Sequence, residues 1–142
     1  MKILYDLAMQ HLLIPYVYGG KIPIVGLDCS GLVCELLHAV GAFPSLEANA
    51  QGIHDYFITR STKSEVGLGA LAFYGKSEKE ISHVGMLLDT HMMIEAGHGD
   101  SSTTSIEIAK SRGAYVRLRP FNYRKDLVTI LRPDYQGIGL EP

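Results

Sequence analysis

Cys29 stands between Asp28 and Ser30 in GLDCSGLVCELLHAVGAF, residues 26–43, and a second cysteine follows at position 34. A thiol there can serve as a nucleophile, half of a disulfide, a metal ligand or a small core residue. The reactive form is the thiolate, which the unpaired N–H groups at a helix start favour. Asp28 is a suitable helix cap, which puts Cys29 at about the first helical position and Cys34 a turn and a half further in. Cysteines five apart on one helix point to different faces, so a disulfide between them is geometrically disfavoured. No Cys/His pair has zinc-site spacing. Cys34 reads as a small apolar core residue.

A nucleophilic thiol needs a base, usually histidine, and a third group to orient it. Six histidines are available. His11 and His38 fall on N-terminal helices, His54 on a weaker helix, and His91 in a turn. His98 follows Gly97 in a loop. His83 differs because SHVGML places it at the start of a central strand, where a rigid backbone can aim it. Spacing alone leaves His83 a candidate, since a lone strand histidine is more often structural.

The positioning elements can be read from periodicity. Residues 2–13 carry apolar positions at helical spacing, closed by Pro15. PYVYGGKIPIVGL is a shaped loop, rich in glycine and proline. Residues 28–40 form the helix of Cys29, stopped by Gly41 and Pro44, and 46–59 form a third, weaker helix. Then come short apolar or alternating runs at 70–74, 82–88, 91–97, 114–120 and 126–132, read as strands. TTSIEIAKSRG forms a short helix or turn between the third and fourth. Helices followed by strands imply an α+β domain, N-terminal helices packed on one antiparallel sheet, with residues 1–142 as a single domain.

These segments, in this order, resemble the NlpC/P60 family of cysteine peptidases. PYVYGG…LDCSGLV, GALAFYG and SHVGMLLDTHMMIEAG carry the likeness over roughly residues 3–132. The resemblance implies a reduced papain-like fold and cleavage of bacterial cell-wall peptides, at the amide after γ-D-glutamate, to diaminopimelate or lysine. It implies Cys29 as nucleophile, His83 as base and Glu95, twelve residues on, as the orienting group, with His98 as the competitor for that place. Tyr16 is implied to line the active site, and Tyr18 to pack. Asp28 and Ser30 are implied to bind the free amine of a stem peptide. The backbone N–H of Cys29 is an expected oxyanion donor. The family's Gly-Asp-Leu strand reads Gly69-Ala70-Leu71 here. The segment from Glu95 onward is most like small phage- and prophage-encoded members, which implies phage tail or other virion partners. Related papain-like cores host amidases and acyltransferases, and a non-catalytic wall-binding virion module is a further alternative.

Composition bounds these readings. Of 142 residues, 46% are hydrophobic and 20% charged, as in a globular domain. A net charge of -2 argues against nucleic-acid binding. Seven of the 13 Lys/Arg lie between Lys110 and Arg132 beside one acid, Asp126, a solvated face or a docking surface. Asp6, Gln10 and His11 interrupt any signal-peptide core, and no run is long enough for a transmembrane segment. The expectation is synthesis in the cytoplasm, with a virion or the cell wall as destination. No cofactor or metal is implied.

Overall fold

A computed structural model describes residues 1–141. Four helices and an antiparallel sheet make an α+β fold. The helices are α1 (Lys2–Gln10), α2 (Cys29–Ala39), α3 (Ala50–Phe57) and α4 (Ile106–Arg112). A two-stranded ribbon, β1 (Lys21–Ile22) and β2 (Gly26–Leu27), precedes α2. The main sheet holds β3 (Ser61–Lys63), β4 (Leu71–Gly75), β5 (Ile81–Leu87), β6 (Met92–Ala96), β7 (Val116–Pro120) and β8 (Leu127–Pro133). Its order is β3-β8-β4-β5-β6-β7, with antiparallel neighbours throughout.

Helix α2 forms because a cap and an apolar stripe agree. The Asp28 carboxylate accepts the Gly31 amide at 2.6 Å. Leu32, Val33, Leu36 and Leu37 are fully buried. They join Phe73, Val84, Met86 and Ile94 of the sheet in the main core. The other sheet face carries a smaller cluster of Ala70, Ala72, Tyr74, Leu87, Met93 and Ile130. Ala70 therefore fills an apolar site where the family pattern has aspartate.

Three local readings are corrected. Helix α1 ends at Gln10, not residue 13. Leu13 takes a φ of 70°, and its amide donates to the Val116 carbonyl at 2.9 Å. Tertiary pairing thus overrides the helical spacing there. Helix α3 starts at Ala50, four residues later than the periodicity suggests, because the Asn49 side chain caps it, accepting the Gly52 amide at 2.8 Å. The loop before α2 contains the β1–β2 ribbon, and β3 was not legible as a strand.

The loop just ahead of β1 and the first turn of α2 pack closely through glycine. A Cβ on Gly31 would lie 2.0 Å from the Gly20 carbonyl oxygen. That contact is to backbone, so relief requires moving the loop or the helix start. Gly31→Ala is expected to lower stability by roughly 1–3 kcal/mol, read as a fall in denaturation midpoint. An unchanged midpoint would mean that the loop is free to move.

Candidate active site

The sheet aims two side chains at one place. His83 lies near the start of β5 and Glu95 near the end of β6, and antiparallel pairing brings those ends together. Gln51 of α3 steadies the start of β5, its side-chain oxygen accepting the Ile81 amide at 2.7 Å. His83 Nε2 stands 2.5 Å from Glu95 Oε2, and both residues are buried. Nδ1 is then the ring nitrogen left for a second partner. The Cys29 thiol, half-buried at the first residue of α2, lines the same cavity as His83, close enough to act on its charge.

Electrostatics follow from this arrangement. Burial alone would pull the His83 pKa down, but the neighbouring Cys29 and the bonded Glu95 overcome it and push it up to about 9. Burial would likewise raise the Glu95 carboxyl. Its bond to His83, then one from Tyr123, hold it below the ordinary glutamate value. The Tyr123 hydroxyl donates to Glu95 Oε2 at 3.2 Å. Sequence reasoning missed Tyr123, because it lies 28 residues from Glu95 in the β7–β8 turn and no periodicity marks it.

His98 shares a cavity with His83 but is not hydrogen-bonded to it. Its Nε2 is 2.7 Å from Arg119 Nη2, and a guanidinium can only donate, so that nitrogen accepts. Burial and the Arg117 and Arg119 charges hold the His98 pKa below its ordinary value. Arg119 also covers the Tyr123 ring at 4.8 Å. Of the two candidates for the third position, the geometry puts Glu95 against His83.

Tyr16 is buried beside Cys29, with its ring over Gly99, where a Cβ would lie 1.9 Å from the ring. Burial, then the neighbouring Cys29, push its pKa well above the ordinary tyrosine value, so it remains a phenol able to donate. Tyr18, expected to pack, is instead 57% exposed at the cleft rim. Cys34 is fully buried, and burial pushes its thiol up to about 11, as suits a core residue.

Two cavities meet at Cys29 and share Tyr16, Tyr18 and Ser82. One, of about 260 Å³, is lined by His83, His98, Asp100 and Tyr123. The other, of about 380 Å³, is lined by Lys21, Asp28, Ser30, Glu47 and Asn49. Asp28 and Ser30 do stand together in it, but with the Lys21 ammonium on them, 3.1 Å from Asp28 Oδ1 and 2.8 Å from Ser30 Oγ. Sequence reading missed Lys21 as well, since it needs the ribbon to bring it there.

The basic segment 110–132 does not form one free patch. Arg112 pairs with Asp100, Arg124 with Asp126, and Arg132 with Glu65. Arg117 donates to the Gly113 carbonyl. Among the described residues, no group of three or more His, Cys, Asp or Glu could hold a metal ion, and no helix is long and apolar enough to cross a membrane.

The fold recurs in known proteins. An NlpC/P60 family protein from Bacillus cereus ATCC 10987 is similar in structure, with TM-score 0.69, 18% identity, and 92% of this chain on 39% of that one. NlpC1 from Trichomonas vaginalis gives TM-score 0.67 at 19% identity, over 92% of this chain and 42% of that one. The NlpC/p60 domain of the peptidoglycan hydrolase SagA gives 0.59 at 20% identity, over 90% and 94%. This chain spans about two-fifths of the length of the first two, and identities this low speak to the fold. No curated protein is significantly similar to the chain. Residues 14–124 match the NlpC/P60 family itself, and the chain belongs to that family.

Proposed function

We propose that the protein is a cysteine peptidase that hydrolyses peptidoglycan stem peptides at the amide between γ-D-glutamate and diaminopimelate or lysine. The observation that carries this reading is the buried His83–Glu95 pair on the same cavity wall as Cys29, where two cavities meet. The Cys29 thiolate attacks the scissile carbonyl carbon. The oxyanion forms beside the Cys29 amide and the Tyr16 hydroxyl. The His83 imidazolium gives its proton to the leaving amine as the C–N bond breaks. A water then loses a proton to His83 and attacks the thioester, releasing the acid and restoring the thiolate and the imidazolium. Glu95 holds the imidazolium in place throughout.

The bond itself is inferred from family membership and from the SagA neighbour, a peptidoglycan hydrolase. A phage tail or endolysin setting rests on the likeness of the segment from Glu95 onward to phage-encoded members. The test is digestion of purified peptidoglycan, with products identified by mass. Stem-peptide fragments ending in γ-D-glutamate support the reading, whereas turnover only of unrelated amides or esters would move it to a papain-like amidase or acyltransferase.

Tyr123 enters as a positioning residue. Removing its hydroxyl leaves one Glu95 oxygen with a single partner. Tyr123→Phe is expected to cut kcat by about threefold to tenfold with KM little changed. The alkaline limb of its pH–rate profile should also move up slightly, because Glu95 loses a donor that shares its charge and acts more strongly on the His83 imidazolium. An unchanged profile would mean that the hydroxyl is a spectator.

A further inference from the structure

We propose that Lys21 sets the substrate class: the acyl side of the cleft takes peptides whose amino end is blocked, not free. This rests on the peptidase reading above. The leaving amine receives its proton from His83, so the leaving group lies in the cavity that His83 lines. The acyl part, with the amino end of the substrate, then lies in the other cavity. Asp28 and Ser30 line that side, and a carboxylate beside a hydroxyl suits an ammonium group.

That receptor is already filled by the chain itself. Lys21 Nζ reaches Asp28 Oδ1 at 3.1 Å, Ser30 Oγ at 2.8 Å and the Ala48 carbonyl at 3.4 Å. An ammonium has three N–H donors, and here each has an acceptor. Asp28 Oδ1 is equally committed, since it also takes the Gly31 amide at 2.6 Å and the Ser30 hydroxyl at 3.1 Å. The lysine is not a loose surface chain. Its side chain is 22% exposed and that of Asp28 14%. Its backbone is pinned in the ribbon opposite Leu27, the residue before Asp28.

A substrate ammonium entering this cavity meets a neutralised carboxylate and a like charge. Asp28 Oδ2 takes none of these bonds, but Lys21 at 3.1 Å from Oδ1 already offsets the carboxylate charge, so a second ammonium gains little and is repelled by Lys21. Glu47, the other acid on this wall, is exposed, so water screens what it offers. An amide-blocked amino end carries no charge and avoids the repulsion. Stem peptides still joined to the glycan have such an end, and released stem peptides do not. The geometry therefore points to peptides in the intact wall over free fragments.

The test compares two L-alanyl-γ-D-glutamyl peptides carrying diaminopimelate or lysine, identical except for an acetylated or a free amino end. Wild type is expected to cut the acetylated peptide with about tenfold higher kcat/KM. Lys21→Met vacates the receptor and should swing that ratio about tenfold or more toward the free amine. The swing should vanish when Asp28→Asn is added. A wild-type preference of tenfold for the free amine would overturn the inference, and so would an unchanged ratio in a folded Lys21→Met variant. Should Lys21→Met fail to fold, the wild-type ratio decides alone. If wild type cuts neither peptide nor intact wall, the peptidase reading falls and this inference falls with it. A free-amine preference sinks the inference only.

Discussion

Cys29→Ala is expected to abolish release of stem-peptide fragments, a loss on the order of 10⁴-fold or more, with the fold intact. The second cysteine cannot take over the attack. Cys34 is fully buried, with its Sγ turned to the Ala48 carbonyl at 3.5 Å. The structural effect of the change is small, because Cys29 is half-buried and alanine suits a first helical turn. A denaturation midpoint near that of wild type is the control. The variant carries a second readout that does not depend on turnover. The neighbouring Cys29 helps to raise the His83 pKa to about 9, so that pKa should fall when the thiol is removed. Wall hydrolysis retained in a folded Cys29→Ala protein would sink the nucleophile assignment. An unmoved His83 titration would break the link between thiol and imidazole.

Glu95→Gln should fold and lose about 10²- to 10⁴-fold in kcat. The glutamate is buried 2.5 Å from His83 Nε2, so its charge acts on the ring with little water between. An amide in its place cannot stabilise the imidazolium, and it can present an N–H to a ring nitrogen that must itself donate. The pH dependence gives the sign. The His83 pKa lies above its ordinary value of 6.5, at about 9, so the imidazolium is favoured in the folded protein. Its contribution to stability is complete below about 6.5 and is lost as pH rises through about 9. The wild-type rate should fall along the same alkaline limb, as His83 loses the proton that the leaving amine needs. In Glu95→Gln that limb should move to lower pH. A variant with full activity and an unmoved limb would remove Glu95 from the machinery. His98→Ala is the companion measurement, and it should spare the limb, because His98 is turned toward Arg119.

The two outcomes divide the candidate functions cleanly. Loss of turnover in both variants supports a peptidase. Tight wall binding by a wild-type protein that cuts nothing would favour a docking module. The ion pairs of Arg112, Arg124 and Arg132 weaken the case for such a module on the basic segment, because those charges are already answered within the chain.

Much of this protein was legible from the residue string. The α+β class, the helix opened by Asp28 and Cys29, and the five later strands follow from periodicity and capping, which are local properties. The order of the Cys, His and Glu segments was likewise a property of the string. What the string could not determine was which side chains share a volume. Glu95 rather than His98 bonds to His83 because antiparallel pairing joins the start of β5 to the end of β6, while His98 leaves the sheet at a φ of 62°. Tyr123 reaches Glu95 across the β7–β8 turn, and Lys21 reaches Asp28 and Ser30 only once the ribbon folds back on itself. Helix α1 stops early for the same reason, because its following amides find partners beside β7. Local preference is decided within a few residues, whereas hydrogen-bond and charge pairing is decided by whichever distant groups the tertiary fold brings within about 3 Å.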